Sequence, residues 1–173
     1  MKRRLFTLML ILCLVAGLTL TAYGSSSHLV DSAGLLTGTE AANLEDTLSQ
    51  ISDRHNVDIV IVTVDSTDGK SPMEFADDYY DYNGYRADGI LLLLSMEDSD
   101  WWVSTTGYGI TAVTDAGLDY MSDQFVPYLS DEEFAQAFEK FADRVWYRPG
   151  GRLDRHRQYE SKAENCTPAG KGG

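Results

Sequence analysis

The chain has 173 residues, 14 basic and 27 acidic, for a formal net charge of −13. From Ser25 to Asp143 four basic residues face twenty-four acidic ones, a net of −20, whereas from Arg144 onward seven basic residues meet three acidic ones, a net of +4. This length allows one domain with a real core, and so anionic a domain repels nucleic acid and anionic lipid head groups while attracting cations.

Met1–Gly24 reads as a signal peptide. Lys2, Arg3 and Arg4 form a basic lead, Leu5 to Leu20 an apolar stretch, and Ala22-Tyr23-Gly24 a small-x-small cleavage site. The alternative is an uncleaved anchor, because the apolar run approaches spanning length. Either way the domain is expected outside the cytoplasm, secreted or attached to the cell envelope. Cys166 is the only cysteine after this segment, so the core must hold without an internal disulfide.

Leu29-Val30-Asp31 reads as a short strand or extended lead-in, and Ser32 to Gly38 as a loop. Thr37 followed by Glu40 has capping-box spacing. The helix then expected, from about Thr39 to Arg54, places Leu44, Leu48 and Ile51 on one face. Val57 to Val64 is a largely apolar strand, and Asp65 to Gly69 a polar loop. Ser71-Pro72, with Glu74 in capping range, opens a second helix that ends near Tyr82.

Ile90 to Ser95 is an unbroken apolar run, short enough for a strand buried on both faces. Glu97 to Asp100 form an acidic turn, and Trp101 to Thr106 a second strand rich in aromatic and β-branched residues. The pair predicts an antiparallel hairpin, which brings Asp88 next to Gly107–Gly109. Trp101 and Trp102 point to opposite faces, so one belongs to the core and the other can stand exposed. Thr114-Asp115 starts a helix with Leu118, Met121, Phe125 and Val126 inward, which Pro127 interrupts. Asp131-Glu132-Glu133 opens a last helix carrying Phe134, Ala137, Phe138 and Phe141. From Trp146 the pattern stops, and residues 146–173 read as a disordered basic tail.

Strands alternating with helices around a buried middle strand predict an α/β fold, a three-layer α/β/α sandwich with a mixed central sheet. The connection from Val57–Val64 to Ile90–Ser95 should be a right-handed crossover between parallel strands.

Three blocks resemble one family in order: Leu29-Val30-Asp31-Ser32-Ala33-Gly34-Leu35-Leu36, the stretch Asp88 to Gly109, and Ile110 to Gly117. Together they resemble the TPM domain, named for a thylakoid-lumen protein, a photosystem II repair protein and a receptor modulator, over residues 28–145. The resemblance implies an accessory domain of membrane-associated complexes, although the family also carries a phosphatase label.

Asp31, Asp88 and Asp115 each stand where a predicted element begins or ends. Oxygen ligands in this number suit a hard cation, Ca²⁺ or Mg²⁺, and the resemblance supports a metal site from these groups. The alternative is ordinary turn and cap use. Gly107, Tyr108 and Gly109 would line a binding cleft or form a plain turn around a packed ring. A second acidic cluster, Asp65, Glu97, Asp98 and Asp100, falls at the carboxyl ends of the parallel strands, where such sheets take ligands, or is a solvated turn. No His stands beside a motif Ser or Cys, and there is no phosphate loop, CxxC or HExxH. The expected function is therefore an exported, acidic, divalent-cation-binding accessory module, monomeric and without nucleic-acid partners. A weak metal-assisted acid phosphatase is the alternative.

Overall fold

A computed structural model describes residues 26–146. The expected signal peptide and the tail after Trp146 lie outside the described residues. A single sheet runs in the order β1 (Leu29–Asp31), β2 (Asp58–Val64), β3 (Gly89–Ser95), β4 (Asp100–Thr106). The first three strands are parallel and β4 returns antiparallel to β3.

β2 and β3 are buried at every position, as continuous apolar strands must be when helices cover both faces. Alternation divides their side chains. Ile59, Ile61, Ile90 and Leu92 pack with Leu48 of α1 (Gly38–His55), Phe125 of α4 (Asp115–Ser130), and Phe138 and Phe141 of α5 (Phe134–Arg144). Val60, Val62, Leu91 and Leu93 pack with Ala76 and Tyr80 of α2 (Pro72–Tyr82). The result is the three-layer α/β/α sandwich with a mixed sheet. Trp101 turns inward and meets Phe125 edge-on at 5.1 Å between ring centroids, whereas Trp102 is 40% exposed. Both capping boxes form, Thr37 with Glu40 and Ser71 with Glu74, each satisfying helix N–H groups that otherwise lack partners.

Three boundaries differ from the sequence reading. α4 continues through Pro127 and ends at Ser130, because a proline in the last turn removes only one helical bond. The last helix opens at Glu133 rather than Asp131. Asp131 and Glu132 form the turn after α4, with Glu132 at φ 59°. Glu133 caps α5, its carbonyl accepting the Ala137 N–H at 3.0 Å while its own N–H donates to the Tyr128 carbonyl at 2.8 Å. Trp146 belongs to the packed domain rather than the tail, and its ring stacks on His55 at 4.3 Å.

A buried polar cluster fixes the amino end of the sheet. His28 is 8% exposed, with Nδ1 3.6 Å from Glu45 Oε1 and Nε2 3.5 Å from Asp58 Oδ1. Glu45 also accepts the Leu29 N–H at 2.7 Å, anchoring β1 to α1. Arg86 donates to Asp58 from its backbone N–H at 2.7 Å and from Nη1 at 2.9 Å, and reaches Asp53 at 3.0 Å. The hydrogen bond that His28 donates to Asp58 raises the His28 pKa against the opposing effect of burial. Burial pushes Asp58 upward, but His28 and the Arg86 N–H outweigh it and lower its pKa.

These shifts set a pH window. The His28 contribution is full below roughly pH 6.5, its unperturbed value, and is lost as pH rises through its raised native value. The Asp58 contribution is present above roughly pH 3.9 and is lost as pH falls through its depressed native value. Thermal midpoints measured against pH should therefore be highest in mild acid and decline toward neutral and alkaline pH. His28→Gln should flatten that alkaline decline, and an unchanged profile would show that His28 does not govern it.

Candidate functional site

The hairpin returns Gly107 beside Asp88 at the amino end of the sheet. Asp88 Oδ1 accepts the Tyr108 N–H at 2.6 Å. Gly107 has φ 54°, and a Cβ there would collide with Asp88 Oδ1 and the Ala87 carbonyl. Gly109 is equally constrained, since a Cβ would collide with the Gly89 carbonyl oxygen. Glycine alone permits such backbone approach. The Gly-Tyr-Gly element thus launches a short helix, α3 (Tyr108–Ala112), tightly against the start of β3. The Tyr108 ring lies 6.3 Å from Trp146 at an interplanar angle of 18°. Gly107, Tyr108 and Gly109 form a tightly packed turn, with the Tyr108 ring half-buried beside Trp146.

Asp31 lies at the opposite end. It pairs with Thr63 in the parallel β1–β2 ladder, whereas Asp88 precedes Gly89, which pairs with Asp58. Six residue steps separate the two levels, about 20 Å at roughly 3.3 Å per residue. Oxygens bound to one Ca²⁺ stand at about 2.3–2.6 Å from it, hence within about 5 Å of each other. Asp31 and Asp88 therefore do not share an ion.

The Asp31 carboxylate accepts the Leu35 N–H at 3.0 Å, the Leu36 N–H at 2.9 Å and the Thr63 hydroxyl. It orders the loop after β1. Asp115 stands exposed in the first turn of α4, next to Thr114, whose hydroxyl accepts the Gly117 N–H. That placement suits a carboxylate facing the positive end of a helix. Among the described residues, no group of three or more His, Cys, Asp or Glu side chains is arranged to hold a metal ion.

Asp65, Glu97, Asp98 and Asp100 emerge at one end of the sheet. β2 and β3 end level, and their pairing runs on into the loops: the Met96 N–H donates to the Val64 carbonyl at 3.0 Å and the Glu97 N–H to the Asp65 carbonyl at 2.8 Å. Asp100 faces Ser95 across the hairpin. Residues 66–72 together with Glu97 and Asp98 line an open cleft of about 600 Å³. Asp98 Oδ2 accepts the Ser95 hydroxyl at 3.0 Å and lies 3.5 Å from that of Thr67. Ser95 is buried while Asp98 is exposed, so a buried hydroxyl aims this carboxylate from below, while the Thr67 hydroxyl donates to the Lys70 carbonyl at 2.7 Å. Asp68 and Glu97 also line the cleft, exposed. Lys70 lines it too, with Nζ held by Asp78 at 2.7 Å.

Sequence reading missed Thr67, Ser95 and Lys70 here. The signal lay in the two parallel strands themselves, whose final and following residues must meet at one level. It also missed the His28–Asp58–Arg86 cluster, whose members are distant in sequence.

Residues 29–146 match the TPM domain. UPF0603 protein YdjH of Bacillus subtilis is 24% identical over 114 residues, covering 66% of this chain and 44% of that protein. The chain thus spans less than half of that relative. The solution structure of the N-terminal domain of the cg2496 protein of Corynebacterium glutamicum superimposes with a TM-score of 0.59 at 20% identity, covering 74% of this chain and 83% of that one. An N-terminal domain from P. gingivalis gives a TM-score of 0.59 at 20% identity, covering 71% and 82%. The BA42 protein of Bizionia argentinensis gives 0.53 at 16%, covering 64% and 81%. These structural likenesses establish the fold. With the match extending across every described strand and helix, the chain belongs to the TPM domain family.

Proposed function

We propose that this chain is an exported accessory module that takes a divalent cation, Ca²⁺ or Mg²⁺, into the cleft at the carboxyl end of its sheet and helps assemble or maintain a membrane-associated complex. One observation carries the reading: Asp68, Glu97 and Asp98 line a single cleft, beside Asp65 and Asp100, on a domain of net charge −20. Exposed carboxylates are hard oxygen donors suited to such ions, and ligands of α/β sheets gather outside the carboxyl ends of parallel strands. Their loose spacing favours an ion that keeps several waters over one held in a tight protein cage. Export rests on the composition of Met1–Gly24.

The second reading, a weak metal-assisted acid phosphatase, draws on Lys70, the one basic side chain lining this cleft. Its ammonium is already paired with Asp78, and the surrounding carboxylates repel a phosphate. His28 and His55, the histidines among the described residues, both lie at the other end of the sheet, too far to act as general acid or base. Purified protein should leave a generic phosphomonoester unhydrolysed above background, with or without Mg²⁺. Turnover that disappears in Asp98→Asn would establish the enzyme instead.

Thermal melting tests the cation site. A ligand that binds only the native state stabilises it by about 2.7 kcal/mol at a hundred times its dissociation constant. Millimolar Ca²⁺ should raise the midpoint beyond NaCl of equal ionic strength, and the paired change Glu97→Gln with Asp98→Asn should remove that excess. An excess retained in the double variant would place the ion elsewhere, and no excess at all would leave only charge screening.

Asp88 provides the contrast. Asp88→Ala strips the Tyr108 N–H of its acceptor and should cost about 1–3 kcal/mol, while Asp88→Asn, which keeps an acceptor, should cost less. Neither should alter the Ca²⁺ response. A response lost in both variants would return the metal to the amino end of the sheet.

A further inference from the structure

The sheet ends at β4, which pairs only with β3. All seven of its residues pair with β3 in unbroken register, so no bulge turns this edge away. It contains no Pro, Lys or Arg, and its only charge is Asp100 at the start. Sheet edges are ordinarily blunted by such residues, by bulges or by a covering element, because their free N–H and C=O groups template another strand. Among the described elements none pairs with the outer side of β4.

Both faces beside this edge are apolar near the hairpin tip. On one face, the Ser104 hydroxyl donates to Asp77 of α2. α2 and β4 both run from the carboxyl end of the sheet toward its amino end. Met73 lies one helical turn before Asp77, and Trp102 two residues before Ser104, so the two stand at a similar level on this face. They are 47% and 40% exposed. On the other face, Trp101 lines a cleft of about 400 Å³ with Met96, Val126, Leu129 and Phe134. A strand laid along β4 would find apolar contacts for alternate side chains on both of its faces.

Charge selects the occupant. The domain carries −20, and Asp77 of α2, Asp81 one turn further on and Asp100 at the start of β4 stand exposed on this side of the sheet. A second copy, equally anionic, is repelled. We propose that the open edge of β4 receives an extended basic segment of a partner protein, with alternating basic and apolar residues, as a fifth strand. This holds whether or not the neighbouring cleft takes a cation.

The test titrates isotope-labelled full-length protein with a peptide of alternating Lys and Val, about nine residues long so as to span the seven of β4. The amide signals of Trp101 to Thr106 should shift, and the outward-facing ones, which do not bond to β3, should exchange more slowly with solvent. The same peptide N-methylated at alternate residues keeps its charge but cannot complete the ladder, and should bind at least about tenfold more weakly. Trp102→Lys, at an exposed position, should lower affinity by about tenfold with its melting temperature unchanged. Equal binding of the N-methylated peptide would reduce the interaction to charge alone and overturn the proposal. So would shifts confined to other elements, unchanged affinity in Trp102→Lys, or outward-facing β4 amides (those not bonded to β3) already protected before peptide is added, whether by a second copy or by the chain's own residues 147–173.

Discussion

The complete burial of β2 and β3 on both faces is the constraint from which the rest follows. Two adjacent parallel strands without a solvent-facing position require helices above and below, so α2 must cross on one side while α1, α4 and α5 cover the other. The parallel pairing also polarises the molecule. Every loop that follows β2 or β3 emerges at one end, and every segment leading into them lies at the other.

The two ends use the same residue types for opposite purposes. At the amino end carboxylates are consumed by structure: Asp58 by His28 and Arg86, Glu45 by the Leu29 N–H, and Asp88 by the Tyr108 N–H. Gly107 and Gly109 allow the backbones to close against each other there, and Trp146 covers Tyr108. A half-buried charge pair of this kind stabilises little beyond what its desolvation costs, but losing one partner leaves the other stranded. Its value lies in fixing where β1 and the Arg86 loop enter the sheet. At the carboxyl end Asp65, Asp68, Glu97, Asp98 and Asp100 stay exposed, so their charge remains available to solvent and ligand.

Most of the architecture was legible because it is written in local pattern. The run from Gly89 to Ser95 has no polar alternation, the two capping boxes carry their own spacing, and Trp101-Trp102 splits across a strand by simple period. The hairpin made the meeting of Asp88 with Gly107–Gly109 a matter of counting. The grouping of Asp31 with Asp88 did not follow, because local pattern does not say at which end of the sheet a residue emerges. Asp31 closes a strand parallel to β2, whereas Asp88 opens one, and that difference places the sheet's length between them. His28, which no local pattern singles out, is buried because Glu45 and Asp58 reach it from α1 and β2. Pro127 marked a true weakness in α4, yet the packing of Met121 and Phe125 carries the helix three residues further.

An aspartate at the end of an element is thus a poor guide to metal until its lone pairs are accounted for. Asp31 spends its oxygens on two backbone N–H groups and a hydroxyl; it satisfies donors in a part-buried loop that would otherwise lack partners. Displacing it toward an ion would expose that cost. Asp98 differs in kind. Its hydroxyl donor is Ser95, which can rotate to another acceptor, and its carboxylate stands at the surface of an open cleft. A cation there would compete with a weakly committed neutral donor rather than with backbone amides. The same logic separates the edge of β4 from the rest of the surface. Its outward-facing backbone groups are the ones the sheet leaves uncommitted, and beside them stand the exposed carboxylates of Asp77, Asp81 and Asp100.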